Sequence, residues 1–206
     1  MNYSEIVAAA TAYSDRSDSA TSANMDVFLR MVEARVNRVL RNEEMCEEYD
    51  IPTVQDQAEY SLPADYAGMR SISLETDGAI QPLQYLNPEA TDWLVDSDDE
   101  TEVLYYTIRS KKLVLMKPPA DADSNIRINY FRKVPELTSV DNTNWLADIH
   151  PDIYVSGLMV EISSFIKNGE AAAAWNEKFK AAIDECIASN WSDKWSGTPM
   201  FIRIAE

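Results

Sequence analysis

The chain has 206 residues, enough for one domain with a substantial hydrophobic core. Its 35 acidic and 18 basic residues give a formal net charge of −17, which disfavours broad binding to phosphate backbones but lets a protein surround DNA without holding it. A hydrophobic fraction of 46% with only five glycines argues against a disordered chain.

The sequence shows no targeting or membrane-spanning pattern. Its first residues lack the basic and continuously apolar regions of a signal peptide, and the longest charge-free apolar run, residues 153–160, is too short to cross a bilayer. Cys46 and Cys186 have no metal-binding spacing, and we expect reduced, buried thiols in helices. These features predict a soluble protein of a reducing compartment, with no membrane contact.

Two helices are predicted before the first strand. Asn2 and Glu5 have the spacing of a capping box and open a helix over about residues 4–14. Asn24 is a candidate N-cap for a second helix over about residues 24–47, separated from the first by a polar stretch. The second helix carries an apolar stripe at three- and four-residue spacing, which indicates a face turned to the core. The stripe consists of Met25, Phe28, Leu29, Val32, Val36, Val39 and Leu40.

Basic side chains of the second helix lie mostly off this stripe. They are Arg30, Arg35, Arg38 and Arg41. The pattern has two interpretations: a solvated basic face, or a face that docks onto an acidic neighbouring subunit. As interface candidates we take Arg30, Arg38 and Arg41.

Short strand patterns then fill a β-rich insertion over about residues 50–132. Residues 51–55 and 58–62 are predicted to pair as a hairpin, and two further strands are predicted on either side of the Asp77-Gly78 turn. Alternating segments predict a three-stranded antiparallel meander. They are residues 103–109, 113–117 and 126–131.

Two smaller features lie between these strands. Pro88 is predicted to begin a short helix that runs through Leu94. The acidic run at residues 96–102 has neither the spacing nor the glycine of a calcium-binding loop, so it is predicted to be a solvated loop.

A helical hairpin is predicted near the C-terminus. Pro151 opens a helix over about residues 151–167, and Asn168-Gly169 separates it from a last helix over about residues 170–190. Gly169 is predicted to take the left-handed conformation that ends the first of these helices. The first of these helices is predicted to be buried except for a narrow polar stripe, and the second to present a seam to it. The stripe is Asp152, Ser156, Ser163 and Lys167, and the seam is Ala172, Trp175, Phe179, Ala182 and Cys186.

The remaining segments are irregular. The long loop at residues 132–150 is predicted either to pack through its apolar residues or to contact a partner, and its Asn144-Trp145-Leu146 segment is predicted to pin the meander to the helical hairpin. Residues 193–206 are predicted to be an extended C-terminal tail, too broken by Gly197 and Pro199 to bury itself as a helix. The tail and its approach supply the other interface candidates, which are Trp195, Phe201, Ile202 and Ile204.

No catalytic, cofactor-binding or metal-binding residues can be assigned. His150 is the single histidine, and its position before Pro151 favours a structural or capping role. Phosphate-binding, dinucleotide-binding, zinc-hydrolase and nucleophile-elbow motifs are absent. Paired carboxylates for glycoside hydrolysis remain possible among 35 acidic residues, but their number makes that signal weak.

An ordered set of short motifs resembles the head-to-tail adaptor proteins of tailed bacteriophages. The set extends over most of the chain, to about Trp191, and each piece alone is weak. It comprises residues 60–66 (YSLPADY), Tyr130-Phe131-Arg132 with Pro135 and Leu137, Asn144-Trp145-Leu146, His150 to Tyr154, Gly157, Glu161 and residues 174–179 (AWNEKF).

This resemblance implies a structural protein rather than an enzyme. It implies a ring, typically of twelve copies, beneath the portal of a filled head, assembled in the host cytoplasm and located at the neck of the virion. The ring would extend the channel for double-stranded DNA, which passes without specific binding, and would present a platform to tail or nozzle proteins. By analogy with the family, the C-terminal tail would reach the portal.

The resulting expectation is an α+β protein: a bundle of N-terminal helices and a C-terminal helical hairpin, an antiparallel β-hairpin and meander subdomain, and an extended tail. Residues 1–192 would form one adaptor domain. The alternative functions are a carboxylate-based cell-wall hydrolase of the phage neck or tail, and an acidic mimic of DNA.

Overall fold

The computed structural model describes residues 1–16, 18–89, 104–119 and 124–195, with side chains up to residue 190. The chain divides into two compact units. The helical unit consists of residues 1–44 and 134–206, and the β unit is the insertion between them, residues 45–133. This insertion begins five residues before the predicted start at residue 50.

The helical unit contains six α-helices in the described residues. They are α1 (Tyr3–Ser14), α2 (Ser19–Ala23), α3 (Met25–Val39), α4 (Trp145–Ile149), α5 (Pro151–Phe165) and α6 (Gly169–Trp195). The helix α5 lies at the centre, packed against α1, α3 and α6. The helices α5 and α6 form the predicted helical hairpin.

The start of α1 is held by the predicted capping box. The Asn2 side chain accepts a hydrogen bond from the Glu5 amide, and the Glu5 carboxylate accepts one from the Asn2 amide, each at 2.9 Å. The short helix α2 lies in the stretch that was predicted to be only a polar separator. It forms because the Asp18 carboxylate accepts from the Thr21 amide at 2.9 Å and so caps it.

The second predicted helix, over about residues 24–47, extends too far at its C-terminal end. The helix α3 ends at Val39, because Leu40 has extended geometry, and a 3-10 turn at Glu43–Met45 leads directly into the first strand. Arg41 caps the last turn by donating from Nη1 to the Asn37 carbonyl at 3.0 Å. Acidic residues at positions 43 and 44 oppose further helix, since a helix C-terminus carries partial negative charge.

The polar stripe predicted on α5 is solvated only at its ends, where Asp152 and Lys167 are exposed. Ser156 and Ser163 are buried, and the Ser156 hydroxyl donates to the Asp152 carbonyl at 2.6 Å, which satisfies it without water. Phe165, predicted to be buried, is 44% exposed. Lys167, rather than the predicted glycine, takes the left-handed conformation after α5, with φ of 61°.

The β unit contains eight strands in its described part. They are β1 (Cys46–Pro52), β2 (Glu59–Ser61), β3 (Tyr66–Thr76), β4 (Ala79–Pro82), β5 (Gln84–Tyr85), β6 (Tyr105–Arg109), β7 (Lys112–Leu115) and β8 (Ser124–Arg132). They form two four-stranded sheets, in the orders β1-β8-β3-β4 and β2-β7-β6-β5. All pairs are antiparallel except the short pair of β5 with β6.

Apolar side chains from both sheets share one core. Ile126 and Ile128 of β8 are fully buried in it together with Leu113 of β7, and Tyr60 of β2 is 4% exposed. The alternation of buried and exposed residues along β8 is the pattern expected of a strand with one face on a core.

Two predicted strand pairings are wrong. Residues 51–55 and 58–62 do not form a hairpin, because β1 pairs along its length with β8 and β2 pairs with β7. The third strand of the predicted meander, β8, does not pair with β7. It lies between β1 and β3 in the other sheet. Alternation fixes which face of a strand is buried but not which strand lies beside it.

The turn at Asp77-Gly78 does join two paired strands, β3 and β4, with both residues at positive φ as such hairpin turns require. Cys46, predicted to lie in a helix, opens the strand β1 and is only partly buried. The predicted helix at residues 88–94 and the acidic loop at residues 96–102 fall wholly or mainly outside the described residues. The α+β class, with a helical bundle and an antiparallel β subdomain, is confirmed.

Candidate functional site

The loop that follows β8 is hydrogen-bonded to side chains of α3. The Val134 amide donates to Asn37 Oδ1 at 2.8 Å, and the Leu137 amide donates to Glu33 Oε1 at 2.7 Å. Both acceptors lie on neighbouring turns of α3, and both Val134 and Leu137 are buried. The loop therefore packs through its apolar residues, as its composition predicted, and its backbone donors find side-chain acceptors.

Glu33 lies at the centre of a buried polar network. The Tyr154 hydroxyl of α5 donates to Glu33 Oε1 at 3.2 Å, and Asn144 Nδ2 donates to the Tyr154 oxygen at 2.8 Å. Glu33 is only 5% exposed and Tyr154 is fully buried. The network thus joins α3, the loop and α5 by side-chain hydrogen bonds.

Burial raises the pKa of the Glu33 carboxyl to about 7, although the hydrogen bonds from Leu137 and Tyr154 and the nearby charge of Arg30 act in the opposite direction. The carboxylate of Glu136 adds to the upward shift in this pKa. Burial, together with the neighbouring Glu33, raises the pKa of Tyr154 far above its ordinary range. The hydroxyl therefore stays neutral, and it donates to Glu33 while it accepts from Asn144.

The Asn144-Trp145-Leu146 motif forms the start of α4. Asn144 Oδ1 accepts from the Ala147 amide at 2.8 Å and caps the helix, while Nδ2 also donates to the Pro135 carbonyl at 2.7 Å. Leu146 is fully buried. Trp145 Nε1 is a buried donor without an acceptor among the described residues.

Sequence reasoning missed Glu33 as a structural residue. It lies one position beyond Val32 of the apolar stripe, between two buried turns of α3, where a charged side chain is rarely buried unless it is paired. Its position on the core side of the helical wheel was the only available signal, because its partners are more than 100 residues away in the sequence.

His150 shows no nucleophile–base pairing among the described residues. His150 is half-buried at the N-cap of α5, and its imidazole forms no hydrogen bond in the described ranges. A nucleophile and its base need such a bond. Within the same ranges there is no group of three or more potential metal ligands, and no helix has the length and hydrophobicity of a membrane span.

The predicted interface residues are placed differently from one another. Arg30 and Arg38 are exposed on α3, and neither forms an ion pair within the part of the chain that the structure describes. Arg41 is half-buried and caps α3 through the Asn37 carbonyl. Trp195 is the last residue of α6, and its side chain is outside the description. The three remaining candidates, Phe201, Ile202 and Ile204, also lie outside the described residues.

Arg35, from the same basic set, serves the interior of the helical unit instead. Its guanidinium donates from Nη2 to Asn176 Oδ1 at 2.6 Å and lies 4.6 Å from the ring centre of Phe179 on α6. Its Nη1 is 3.4 Å from Glu161 Oε1 on α5. One arginine thus connects three helices.

Comparison with known proteins adds one match. A family model described as SU10 adaptor protein matches residues 1–203 of the chain. A search of curated proteins found no match. The match to the family spans both units and every segment of the motif set, and it includes the exposed arginines of α3.

Proposed function

Since this chain belongs to the SU10 adaptor protein family, a family of phage head–tail adaptors, we propose that it forms the ring that connects the head of a tailed phage to its tail. Copies of the chain would assemble on the lower rim of the portal, typically as twelve, and would extend the DNA channel. The free surface of the ring would dock tail or nozzle proteins. The match over residues 1–203 is the observation that carries this proposal.

The charge of the chain supports passage of DNA without binding. With a net charge of −17, a ring of such copies repels phosphates over most of its surface, so double-stranded DNA would pass through the channel without adhering. A salt titration with duplex DNA tests this point. We expect no retention of DNA by the assembled ring at physiological ionic strength, and retention would contradict a permissive channel.

Assembly with the portal is the direct test of the proposal. Full-length protein is mixed with the purified portal and separated by size, and the mass of the complex is measured by light scattering. We expect the chain to migrate with the portal in a fixed ratio, and electron microscopy of that fraction to show a ring beneath it. A full-length chain that associates neither with the portal nor with itself would overturn the proposal.

The C-terminal tail is proposed to make part of the portal contact through Phe201, Ile202 and Ile204. Removing residues 196–206 leaves every described residue of the helical unit in place. We expect this truncated chain to keep its unfolding midpoint and to lose affinity for the portal. Unchanged affinity would assign the portal contact to other residues.

The hydrolase alternative has its own measurement. A carboxylate-based cell-wall hydrolase clears a band on a peptidoglycan gel, and we expect none because the family is one of adaptors. The DNA-mimic alternative predicts competition with duplex DNA for a DNA-binding protein, and we expect no competition.

A further inference from the structure

Five exposed residues of α3 form an apolar and basic face. Counting about 100° per residue, they fall within an arc of about 100° around the helix axis. They are Val27, Arg30, Met31, Ala34 and Arg38. The other exposed residues of α3, Asp26 and Val39, lie outside this arc, and Asp26 Oδ1 accepts a hydrogen bond from the Tyr3 hydroxyl. Val27 is 49% exposed and Met31 is 48% exposed, so about half of each apolar side chain faces solvent. In a chain with 35 acidic residues, such a face is unusual and is suited to an acidic partner.

The outer face of α6 has the opposite character. Two sets of exposed residues, each with seven-residue spacing, lie within an arc of about 80° along this helix of 27 residues. One set is small, Ala174, Ala181 and Ala188, and the other is acidic, Glu170, Glu177 and Asp184.

The two lysines near this face of α6 are engaged within the helix. Lys180 Nζ lies 3.1 Å from Glu177 Oε1, and Lys178 Nζ lies 4.1 Å from the centre of the Trp175 ring. Glu170, Asp184 and Glu185 form no ion pair among the residues that the structure describes. The face therefore carries unpaired negative charge beside alanines.

We propose that the outer face of α3 in one copy docks on the outer face of α6 in the next copy of the same chain. This inference rests on the proposed function, since it names the contact between neighbouring subunits of the ring. Opposite charges meet across such a contact, and alanines on α6 let the two helix axes approach closely while Val27 and Met31 of α3 pack between them.

The positions of the charges also match along the two helices. Arg30 and Arg38 are eight positions apart, which is about 12 Å along a helix. Glu177 and Glu185 have the same separation. Both arginines can therefore lie beside a carboxylate at once.

Charge restricts the symmetry of the assembly. A two-fold axis that passes through either face would bring α3 against α3, or α6 against α6, and both contacts place like charges together. A head-to-tail contact places α3 against α6 at every interface, and its repetition closes into a ring when the rotation between copies allows it. A two-fold axis between the two faces would also pair α3 with α6, but it would give a closed dimer, so the copy number of the assembly distinguishes the two arrangements.

Charge reversal tests this contact. One variant carries Arg30→Glu and Arg38→Glu, and a second carries Glu177→Lys and Glu185→Lys, the carboxylates with the matching separation. We expect each variant alone to need at least about tenfold more protein for half-maximal ring assembly on the portal, because like charges then meet at every interface. Because Arg30 also faces Glu33, Arg38→Glu alone is measured as well, and it should weaken assembly in the same direction.

Mixing the two variants gives the decisive result. In an alternating ring, reversed α3 faces meet reversed α6 faces and native faces meet native faces, so an equimolar mixture should assemble as well as the native chain. Electron microscopy of the portal complex counts the copies, and an even number is required for this alternation. A matched control, Lys111→Glu with Lys117→Glu on the β unit, should assemble normally.

Each outcome separates this inference from the proposed function. If the native chain forms rings on the portal but the reversals leave assembly unchanged, the assignment of the two faces is wrong while the adaptor role stands. If only the α3 reversal weakens binding, and the mixture is not restored, the α3 face docks on the portal and the inference fails. If the native chain never assembles, both proposals fail.

Discussion

The Tyr154 hydroxyl donates a hydrogen bond of 3.2 Å to Glu33 Oε1, although the two residues are 121 positions apart in the sequence. Asn144, on the loop between them, donates to the same hydroxyl at 2.8 Å. Since all three side chains are buried, each depends on the others for its hydrogen bonds. The interior of the helical unit therefore contains a hydrogen-bonded polar network and is not wholly apolar.

Removal of the Tyr154 hydroxyl should destabilise the protein. In Tyr154→Phe, Glu33 loses the hydrogen bond that the hydroxyl donates, and Asn144 Nδ2 loses the hydroxyl oxygen as an acceptor. We expect the free energy of unfolding to fall by about 1–3 kcal/mol. Urea denaturation followed by circular dichroism measures it. Tyr13→Phe is the control, because Tyr13 is 66% exposed, and it should change stability by less than about 0.5 kcal/mol. Equal stability of the two variants would show that the network contributes little.

Glu33 should make stability fall with rising pH. Its pKa is about 7 in the folded protein, above the ordinary value of 4.5, so between these pH values the folded state binds more protons than the unfolded state. The stabilising contribution of the neutral carboxyl is complete below about pH 4.5 and is lost as pH rises through 7. At about 1.4 kcal/mol for each unit of pKa, the full effect is at most about 3.5 kcal/mol.

The measurement compares native protein with Glu33→Gln between pH 4.5 and 8. Because 35 acidic residues titrate over this range, only the difference between the two proteins is informative. We expect this difference to shift in favour of Glu33→Gln as pH rises. The exposed residue Glu48 supplies the control, and the difference between native protein and Glu48→Gln should stay nearly constant. A constant difference for Glu33→Gln as well would contradict the raised pKa.

The helices were predictable from local pattern, because capping residues and apolar spacing act within one element. Asn2 and Glu5 set the start of α1, and Pro151 set the start of α5. The strand order was not predictable in the same way. The alternation at residues 126–131 indicated a strand, and Ile126, Ile128 and Tyr130 do share the buried face of β8. Its partners β1 and β3 lie far away in the sequence, and alternation alone selects no partner.

The candidate site was predicted only in part. The motif Asn144-Trp145-Leu146 indicated that the loop packs tightly, and Asn144 and Leu146 do so. The four arginines of the predicted second helix looked equivalent in the sequence, yet Arg35 binds inside the helical unit while Arg30 and Arg38 face solvent. At about 100° per residue, Arg35 lies about 60° from Arg38 around the helix axis, and only the positions of α5 and α6 decide which of the two is turned inward.

Gly157 marks a close approach of α5 to α3. A Cβ atom at this position would lie 2.6 Å from Val32 Cγ1 and 3.0 Å from Phe179 Cε2, both too short for contact. Gly157→Ala should therefore lower the free energy of unfolding by about 1–3 kcal/mol, despite the better helix propensity of alanine. Thermal unfolding measures the loss.

Two further variants check the cause of that loss. Gly169→Ala is the control, since nothing lies within 4 Å of the added Cβ, and it should be nearly neutral. Adding Val32→Ala to Gly157→Ala removes the two Val32 methyl groups that the new Cβ would meet. The free energy of unfolding of the double variant should therefore fall by less than the sum of the two single losses. Strictly additive losses would place the strain elsewhere.

Substitution of Arg35 should lower the stability of the chain, whereas substitution of Arg38 should weaken ring assembly. Arg35→Met keeps an unbranched aliphatic chain but removes the guanidinium. The hydrogen bond to Asn176, the ion pair with Glu161 and the cation over the Phe179 ring are then lost. We expect the free energy of unfolding to fall by about 1–3 kcal/mol, because these partners are left partly buried and unpaired.

Arg38→Met is the matched substitution on the exposed side of the same helix. Since Arg38 forms no ion pair in the described residues, its loss should change the free energy of unfolding by less than about 0.5 kcal/mol. Urea denaturation of the isolated chain and ring assembly on the portal are measured for both variants. Arg38→Met should impair assembly while Arg35→Met impairs folding, and a large loss of stability in Arg38→Met would mean that α3 turns a different face to the interior.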